Sequence, residues 1–459
     1  MTGKQWFLWT LWILVSAAIV TYLAYPLISE DGDKSMYLIG DMTHGHHQIE
    51  MSCTVCHATP FGGKEVLQDA CINCHGEELK RADDSHPKSK FTDPRNADRV
   101  AILDARYCIT CHTEHQPDLT HAMGLTMPED YCIKCHADVA EERPTHEGLD
   151  FKTCATGGCH NFHDNRALYE DFLVKHQHEA AVLAEATVKQ LNYQEYLQAI
   201  DQAPLPALDA SKQDAPLRLA VEESLVHDWA ETAHARAGIN CSECHYPVQK
   251  NSDKRVWLDR PDHTVCQSCH TPQVEGFLQG KHGMRLAQDL SPMQPGMARI
   301  AMHKDSANEH VSCVSCHSAH RFDSRQAAVD SCLDCHADDH TLAYESSPHA
   351  DLWRRVLSGE LKPGQGVSCA TCHMPRISKD MDGFDLVHVQ HNQNDNLRPN
   401  EKMIRSVCMS CHGLGFSIDA LADRDLINTN FNGKPARHIE GIDWSGMRAR
   451  EATTKDNIH

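Results

Sequence analysis

The feature that constrains this chain most is a five-residue word, C-x-x-C-H, which it repeats ten times. The copies sit at Cys53/Cys56/His57, Cys71/Cys74/His75, Cys108/Cys111/His112, Cys132/Cys135/His136 and Cys241/Cys244/His245, then at Cys266/Cys269/His270, Cys313/Cys316/His317, Cys332/Cys335/His336, Cys369/Cys372/His373 and Cys408/Cys411/His412. They use all but two of the 22 cysteines. Structural zinc fits poorly, because Cys₄ sites take such pairs two at a time and Cys₂His₂ sites need histidines at a longer offset. A thioredoxin-like redox pair occurs once per βαβ unit, not at every turn of the chain. Covalent haem fits. Two thiols bond to the porphyrin vinyl groups, and the adjacent imidazole ligates the iron.

The two remaining cysteines lie in "CATGGCH", Cys154/Cys159/His160, with four residues between the thiols instead of two. Attachment requires only that both sulfurs and the histidine reach their positions, and Gly157 with Gly158 lets the extra backbone bulge without Cβ clashes. The segment reads as an eleventh haem site, with a lone disulfide as the alternative.

Eleven of the 34 histidines belong to these motifs. The remainder are too many for surface decoration and suit a second, distal iron ligand. His115, His163 and His320 each lie three residues beyond a motif histidine. Their short tethers keep them from the distal face of their own haem and direct them to a neighbour's. His86, His146, His234, His282, His340, His349 and His391 are further candidates, and of His44, His46 and His47 two are expected to ligate, His44 and His47 being the choice. His438 and His459 read as bland.

Aromatic residues make up only 6% and mean hydropathy is −0.49, so a conventional apolar core would be thin and the porphyrins themselves would fill the interior. A mainly α protein with long loops follows, its short helices packed on haem. The span 6–28 holds no charge and reaches roughly 34 Å as a helix, enough to cross a bilayer. Its length, tryptophans and tyrosines favour a retained transmembrane anchor over a cleaved signal. Lys4 on one side and Glu30, Asp31 and Asp33 on the other put the N-terminus in the cytoplasm. Both readings export the remainder, so a bacterial inner-membrane protein with a periplasmic haem domain is expected. The formal charge of −21 excludes nucleic acid as a partner and suits basic redox proteins.

The motifs divide into a five-haem module (29–165) and a six-haem module (237–412), joined by a helical linker (166–236) and followed by a haem-free tail (413–459) that covers the last haem. In the linker, Leu168 with Phe172 and Ala184 with Val188 and Leu191 share helical faces, predicting one helix through "ALYEDFLVKHQHEAAVLAEATVKQL". A second helix is predicted from about 216 to 236, with His227 and His234 on nearly one face. Little sheet is expected.

The segments "CHSAH", "CLDCHADDHTLAYESSPHA", "GVSCATCHMPR" and "VHVQHNQNDNLRPNEKMIRSVCMSCHG" resemble the family of hydroxylamine oxidoreductase, the octahaem nitrite and tetrathionate reductases and pentahaem nitrite reductase. That resemblance implies that His340 and His349 ligate haems other than the one at Cys332, and that His388 or His391 serves a haem late in the series. The N-terminal module, with "CHTEH", "CHNFH" and the C-x₄-C-H site, resembles the class III (tetrahaem-type) cytochromes. The C-x-x-C-K motif of the pentahaem nitrite reductases is absent. Two functions stay open. One is a membrane-tethered electron carrier, linking a membrane donor such as the quinol pool or a quinol dehydrogenase to other cytochromes in the periplasm or outer membrane. The other is an oxidoreductase of small nitrogen or sulfur compounds (hydroxylamine, nitrite, tetrathionate) with one open haem, sought first between Cys241 and Cys411. Surplus histidine favours the carrier, with no catalytic residue assigned. Oligomeric state stays open.

Overall fold

A computed structural model of the protein describes residues 2–29, 33–59, 62–121, 124–128, 130–143, 146, 160–164, 168–201, 205–248, 255–397 and 400–456. Cys154 and Cys159 lie outside the described residues, as does His459. The fold is helical with one two-stranded sheet among the described residues, as the composition led us to expect.

Most motifs form a single helical turn, such as Cys53–Cys56, Cys241–His245, Cys313–His317 and Cys369–His373. One turn puts residues i, i+3 and i+4 on the same side, so the two thiols and the imidazole converge. The histidine N–H donates back to the first cysteine's carbonyl, at 2.8 Å in His57, His270 and His412. Small polar residues start these turns. The Asn240 side chain accepts from Cys241 N at 2.9 Å and the Ser368 hydroxyl from Thr371 N at 3.2 Å, each satisfying a donor at the turn's open end.

Packing divides the chain elsewhere than at the linker. One unit comprises Met1–Cys71 with Tyr107–Met127, the other Ile72–Arg106 with Pro128–His459. In the first, a helix spans Gly3–Ile28 with none of its side chains buried. It is long and apolar enough to cross a membrane. Within the same unit Gln68 Oε1 accepts from Cys108 N at 2.8 Å and Tyr107 donates to Glu65 at 2.6 Å.

The second unit has the larger apolar core: Leu168, Leu173, Met403, Ile404, Val407, Leu414, Ile418, Leu421 and Ile442, with Phe431, Cys372 and Cys408 packed on it. The tail is thus built into the interior through the helices Leu414–Ala422 and Gly441–Asp456.

Both predicted linker helices are corrected. The first stops after Glu170–His176. Beyond it the backbone donors turn outward to the last motif: Leu183 N bonds Cys411 O at 2.9 Å and Thr187 N bonds Ser410 O at 2.7 Å, while Gly413 N donates to Ala180 O at 3.1 Å. Those bonds replace the internal ladder of a helix, so the stretch is a strap over the Cys408 motif. The second predicted helix is broken into Glu223–Ala230 and Ala233–Arg236. The Thr232 hydroxyl caps the second piece, accepting from Ala235 N at 3.2 Å. His227 and His234 therefore stand on separate helices.

The sheet is a hairpin of Arg376–Met381 and Phe384–Val389, in register Arg376↔Val389 through Met381↔Phe384. Its two-residue turn places Asp382 and Gly383 at φ 53° and 90°, the left-handed conformations that an Asp-Gly pair supplies.

Candidate haem sites

At eight motif histidines a second imidazole stands opposite, at nearly constant spacing. The ring centres are 6.2 Å apart for His136–His86, 6.1 Å for His160–His146, 5.8 Å for His245–His320 and 6.0 Å for His270–His234. For His317–His391 and His336–His282 they are 6.2 Å apart, for His373–His340 6.0 Å and for His412–His349 6.3 Å. This spacing tests whether the residues fit the cofactor. An iron between two imidazoles needs about 2 Å to each nitrogen, with each ring centre about 1.1 Å beyond, so the centres stand roughly 6 Å apart. The residues fit.

The hydrogen bonds at Nδ1 agree. His245 Nδ1 bonds Leu258 O at 2.6 Å, His340 Nδ1 bonds Ile427 O at 2.5 Å, His391 Nδ1 bonds Val389 O at 2.9 Å and His412 Nδ1 bonds Ala181 O at 2.8 Å. A carbonyl only accepts, so the proton sits on Nδ1 and Nε2 keeps the lone pair that a metal would need; in His340 the Asn430 amide also lies 3.4 Å from that Nε2. Burial, the largest cause, pushes the imidazoles of His282, His349, His373 and His391 down to about 4. They are neutral at pH 7, the state that ligates.

All six motif histidines from His245 to His412 have such a partner. The partner comes from another part of the chain in every case, with His320 crossing from the Cys313 motif to the Cys241 motif. His320 has φ 66° between Ser318 at 51° and Phe322 at 46°, backbone that β-carbon sterics disfavour, which aims the ring back across the turn. Of the two residues offered by the resemblance, His391 meets a motif histidine. His388 is buried in the second strand. The motif histidine that His391 meets is His317 of the Cys313 motif, because the chain leaving the hairpin brings it there.

Five attachment positions depart from the haem-lined interior that the composition suggested. His57, Cys74, His75, His136 and Cys269 are exposed, whereas the other described attachment residues, Cys135 and His112 among them, are half-buried. Cys372 and Cys408, by contrast, pack on the apolar core. At Cys74 and His75 the cause is the long helix Lys64–Ala82, which contains the whole Cys71 motif and holds both residues on its open side. His75 Nδ1 lies 3.6 Å from Glu78 Oε2, one turn on, so a carboxylate takes the place of the usual carbonyl. His112 keeps the carbonyl arrangement, its Nδ1 bonding Gly124 O at 3.1 Å. Cys135 lies in the short helix Ile133–His136. Cys269 follows the exposed Gln267 and Ser268, beyond the end of the helix Thr264–Gln267, and receives only a long contact of 3.8 Å from the Ser268 hydroxyl. Thioether formation needs an accessible thiol rather than a buried one, so exposure is compatible with attachment but gives no enclosure.

The other candidates occupy different settings. His44 and His47 stack with centres 5.7 Å apart and planes 28° apart, and neither belongs to a motif. His46 Nδ1 lies 2.6 Å from Glu114 Oε1. Burial acts to raise the Glu114 carboxyl, but hydrogen bonds from His46 and Thr43 outweigh it and hold the group at about 2. His115 Nδ1 donates to Gly40 O at 2.8 Å with φ 63°, and His163 Nδ1 lies 3.1 Å from Asp84. His57 is exposed, and no second imidazole meets it at the spacing of the other pairs among the described residues.

Several contacts had no signal in the sequence. Phe416 stacks on His412 at 4.7 Å, Trp257 on His245 at 5.0 Å and Phe162 on His86 at 4.1 Å. Isolated aromatics without periodicity carry no mark of which imidazole they cover.

Comparison with known proteins points the same way. The family model for cytochrome c3 matches residues 45–137, the span that holds the first four motifs. Multiheme cytochrome MtrA of Shewanella baltica (strain OS185) is 24% identical over 238 residues, which cover 45% of this chain and 62% of that protein. The match thus spans less than two thirds of this curated relative.

Proposed function

We propose that this chain, a multihaem c-type cytochrome by its motifs and likenesses, is a membrane-anchored carrier of eleven covalent haems that transfers electrons without transforming a substrate. Covalent haem c and an electron-transfer role are supported by the cytochrome c3 match, the MtrA likeness and the repeated motif. One observation carries the finer reading: every motif histidine from His245 to His412 has a second imidazole opposite it.

Bound haem supplies an iron that takes up and releases single electrons. The residues around it hold geometry constant. Paired imidazoles, with His245, His340, His391 and His412 each held by a carbonyl, would leave no iron position open to substrate and would limit reorganisation between oxidation states. In this reading the Gly3–Ile28 helix anchors the protein in the inner membrane with the haem region in the periplasm. Its donor is a quinol pool or quinol dehydrogenase, and its acceptors are other cytochromes of the periplasm or outer membrane.

A second reading rests on His57, which is exposed and unmatched among the described residues. An open iron there would suit small nitrogen or sulfur compounds. That location differs from the 241–411 region favoured by the resemblance, where each motif histidine is opposed. The spectrum of the oxidised protein tests both readings. The carrier predicts low-spin haem throughout, unchanged by nitrite, hydroxylamine or sulfite. A high-spin signal that one of these abolishes, with turnover from a reduced dye, makes it an enzyme.

A further inference from the structure

Residues 427–431, in the segment that carries no haem motif, form a hook between two of the histidine pairs. Asn430 and Phe431 are consecutive residues with φ 51° and 58°. Asparagine tolerates that conformation, but a bulky phenylalanine takes it only where the surroundings over-determine it. Asp423 fixes the base of the hook, its carboxylate accepting from Leu426 N at 3.1 Å and Ala436 N at 2.8 Å. At the tip, Ile427 O accepts from His340 Nδ1 at 2.5 Å and the Asn430 amide donates to His340 O at 3.0 Å. The Phe431 ring stands 6.4 Å from His340 at 88° and 6.0 Å from His349 at 59°. It touches both distal imidazoles at once. Among the described residues no side-chain hydrogen bond orients His349, so Phe431 is its principal guide.

Those two imidazoles lie crosswise to their partners, at 73° for His340–His373 and 70° for His349–His412. His245–His320, by contrast, is nearly parallel at 7°. The angle matters electronically. Crosswise imidazoles interact equally with the two iron d orbitals of π symmetry and leave them nearly degenerate, whereas parallel planes split them.

We infer that Asn430 and Phe431 are positioning residues that hold the distal imidazoles His340 and His349 crosswise to His373 and His412. The inference rests on the proposed bis-histidine ligation. Axial-ligand orientation thereby becomes something the tail imposes, through a strained loop, on two sites whose attachment motifs lie outside it.

Electron paramagnetic resonance of the full-length oxidised holoprotein tests this. Crosswise sites give a single low-field feature and parallel sites a three-component rhombic signal. Four of the eight pairs exceed 65°, with planes at 86°, 80°, 73° and 70°. In Phe431→Leu the low-field intensity should therefore fall by about half, with rhombic intensity gained and haem content constant. Phe431→Tyr should restore the wild-type spectrum. Asn430→Gly accepts the left-handed backbone and deletes the amide's contacts to His340, at the backbone O (3.0 Å) and at the ring Nε2 (3.4 Å), so it keeps the test available if Phe431→Leu does not fold. It should shift the smaller share belonging to His373 alone. Leu421→Val, in the same apolar core without a ring contact to either imidazole, should leave the signal unchanged. Folded Phe431→Leu or Asn430→Gly protein with unchanged low-field intensity overturns the inference, as does an equal change in Leu421→Val. Absence of any low-spin bis-imidazole signal in the wild type would overturn the ligation reading instead.

Discussion

The regions before and after the strap at residues 177–192 use the same attachment word differently. After it, six motif histidines each meet an imidazole delivered by a hairpin, a loop or a helix from elsewhere, and the rings are partly or fully buried. Before it, His136 and His160 also face a second imidazole, but His57, His75 and His136 are exposed and the cluster His44, His46 and His47 is tied partly to itself and to Glu114. Attachment is therefore a local property and ligation a tertiary one. A chain can repeat the first faithfully while varying what stands opposite the motif histidine.

The largest effect that would break this comparison is the loss of a whole cofactor. Cys154→Ala with Cys159→Ala should lower the denatured intact mass by one haem, from eleven additions to ten. Ten additions in the wild type, with those two cysteines recovered as a disulfide, would remove the longer motif from the set. Next in size, His282→Ala should open one buried iron, giving a high-spin band and one equivalent of carbon monoxide bound by the reduced protein. If the wild type already binds carbon monoxide, mapping should place it at the His57 site; binding at any site from His245 to His412 sinks the contrast. Smaller again, Leu414→Ala empties a fully buried position in the apolar core, and a cost of about 3 kcal/mol is expected. Thermal melting should show it as a lower transition for the second unit, while the spectrum of the His57 site is unaffected.

The smallest effect concerns His438, pinned on the surface by Asp419 at 2.9 Å and Asp443 at 2.8 Å. Hydrogen bonding to Asp419 first, then to Asp443, raises its imidazole to about 9. A raised folded value means the contribution is complete below the usual 6.5 and is lost as pH rises through about 9. Being exposed and screened, it should amount to under about 1 kcal/mol. His438→Gln should therefore be slightly less stable than wild type at pH 6 and equal to it at pH 10 by denaturant titration. A difference that grows with pH would contradict the sign.

Much of this protein was legible in its residues, because thioether attachment is a covalent demand on neighbours three and four apart. The cysteine spacing pointed to haem without any knowledge of the fold, and low aromatic content with a charge-free first segment indicated short helices and a membrane-length helix. The partners that the structure brings to eight motif histidines, among them His86, His282 and His391, were all named as candidates from sequence. Which one meets which haem was not legible, nor was the exposure of Cys74, His75 and Cys269, since an identical word is written at enclosed and open sites alike. The 168–192 stretch shows why: its apolar periodicity from Ala184 to Leu191 suits a helix, yet its donors find better acceptors on Ser410 and Cys411, more than two hundred residues away.

What the sequence determined alone was therefore where cofactors are tied, since that chemistry is finished within five residues. What only the tertiary structure decided was which imidazole stands opposite a given motif histidine. His320 crosses to an earlier motif because three left-handed residues turn its ring there, and the hairpin carries His391 to the Cys313 site. The strained step from Asn430 to Phe431 sets His340 and His349 at an angle. None of these is encoded at fixed spacing, because a distal ligand has to satisfy only distance and direction in space, and the chain can meet both from anywhere along its length.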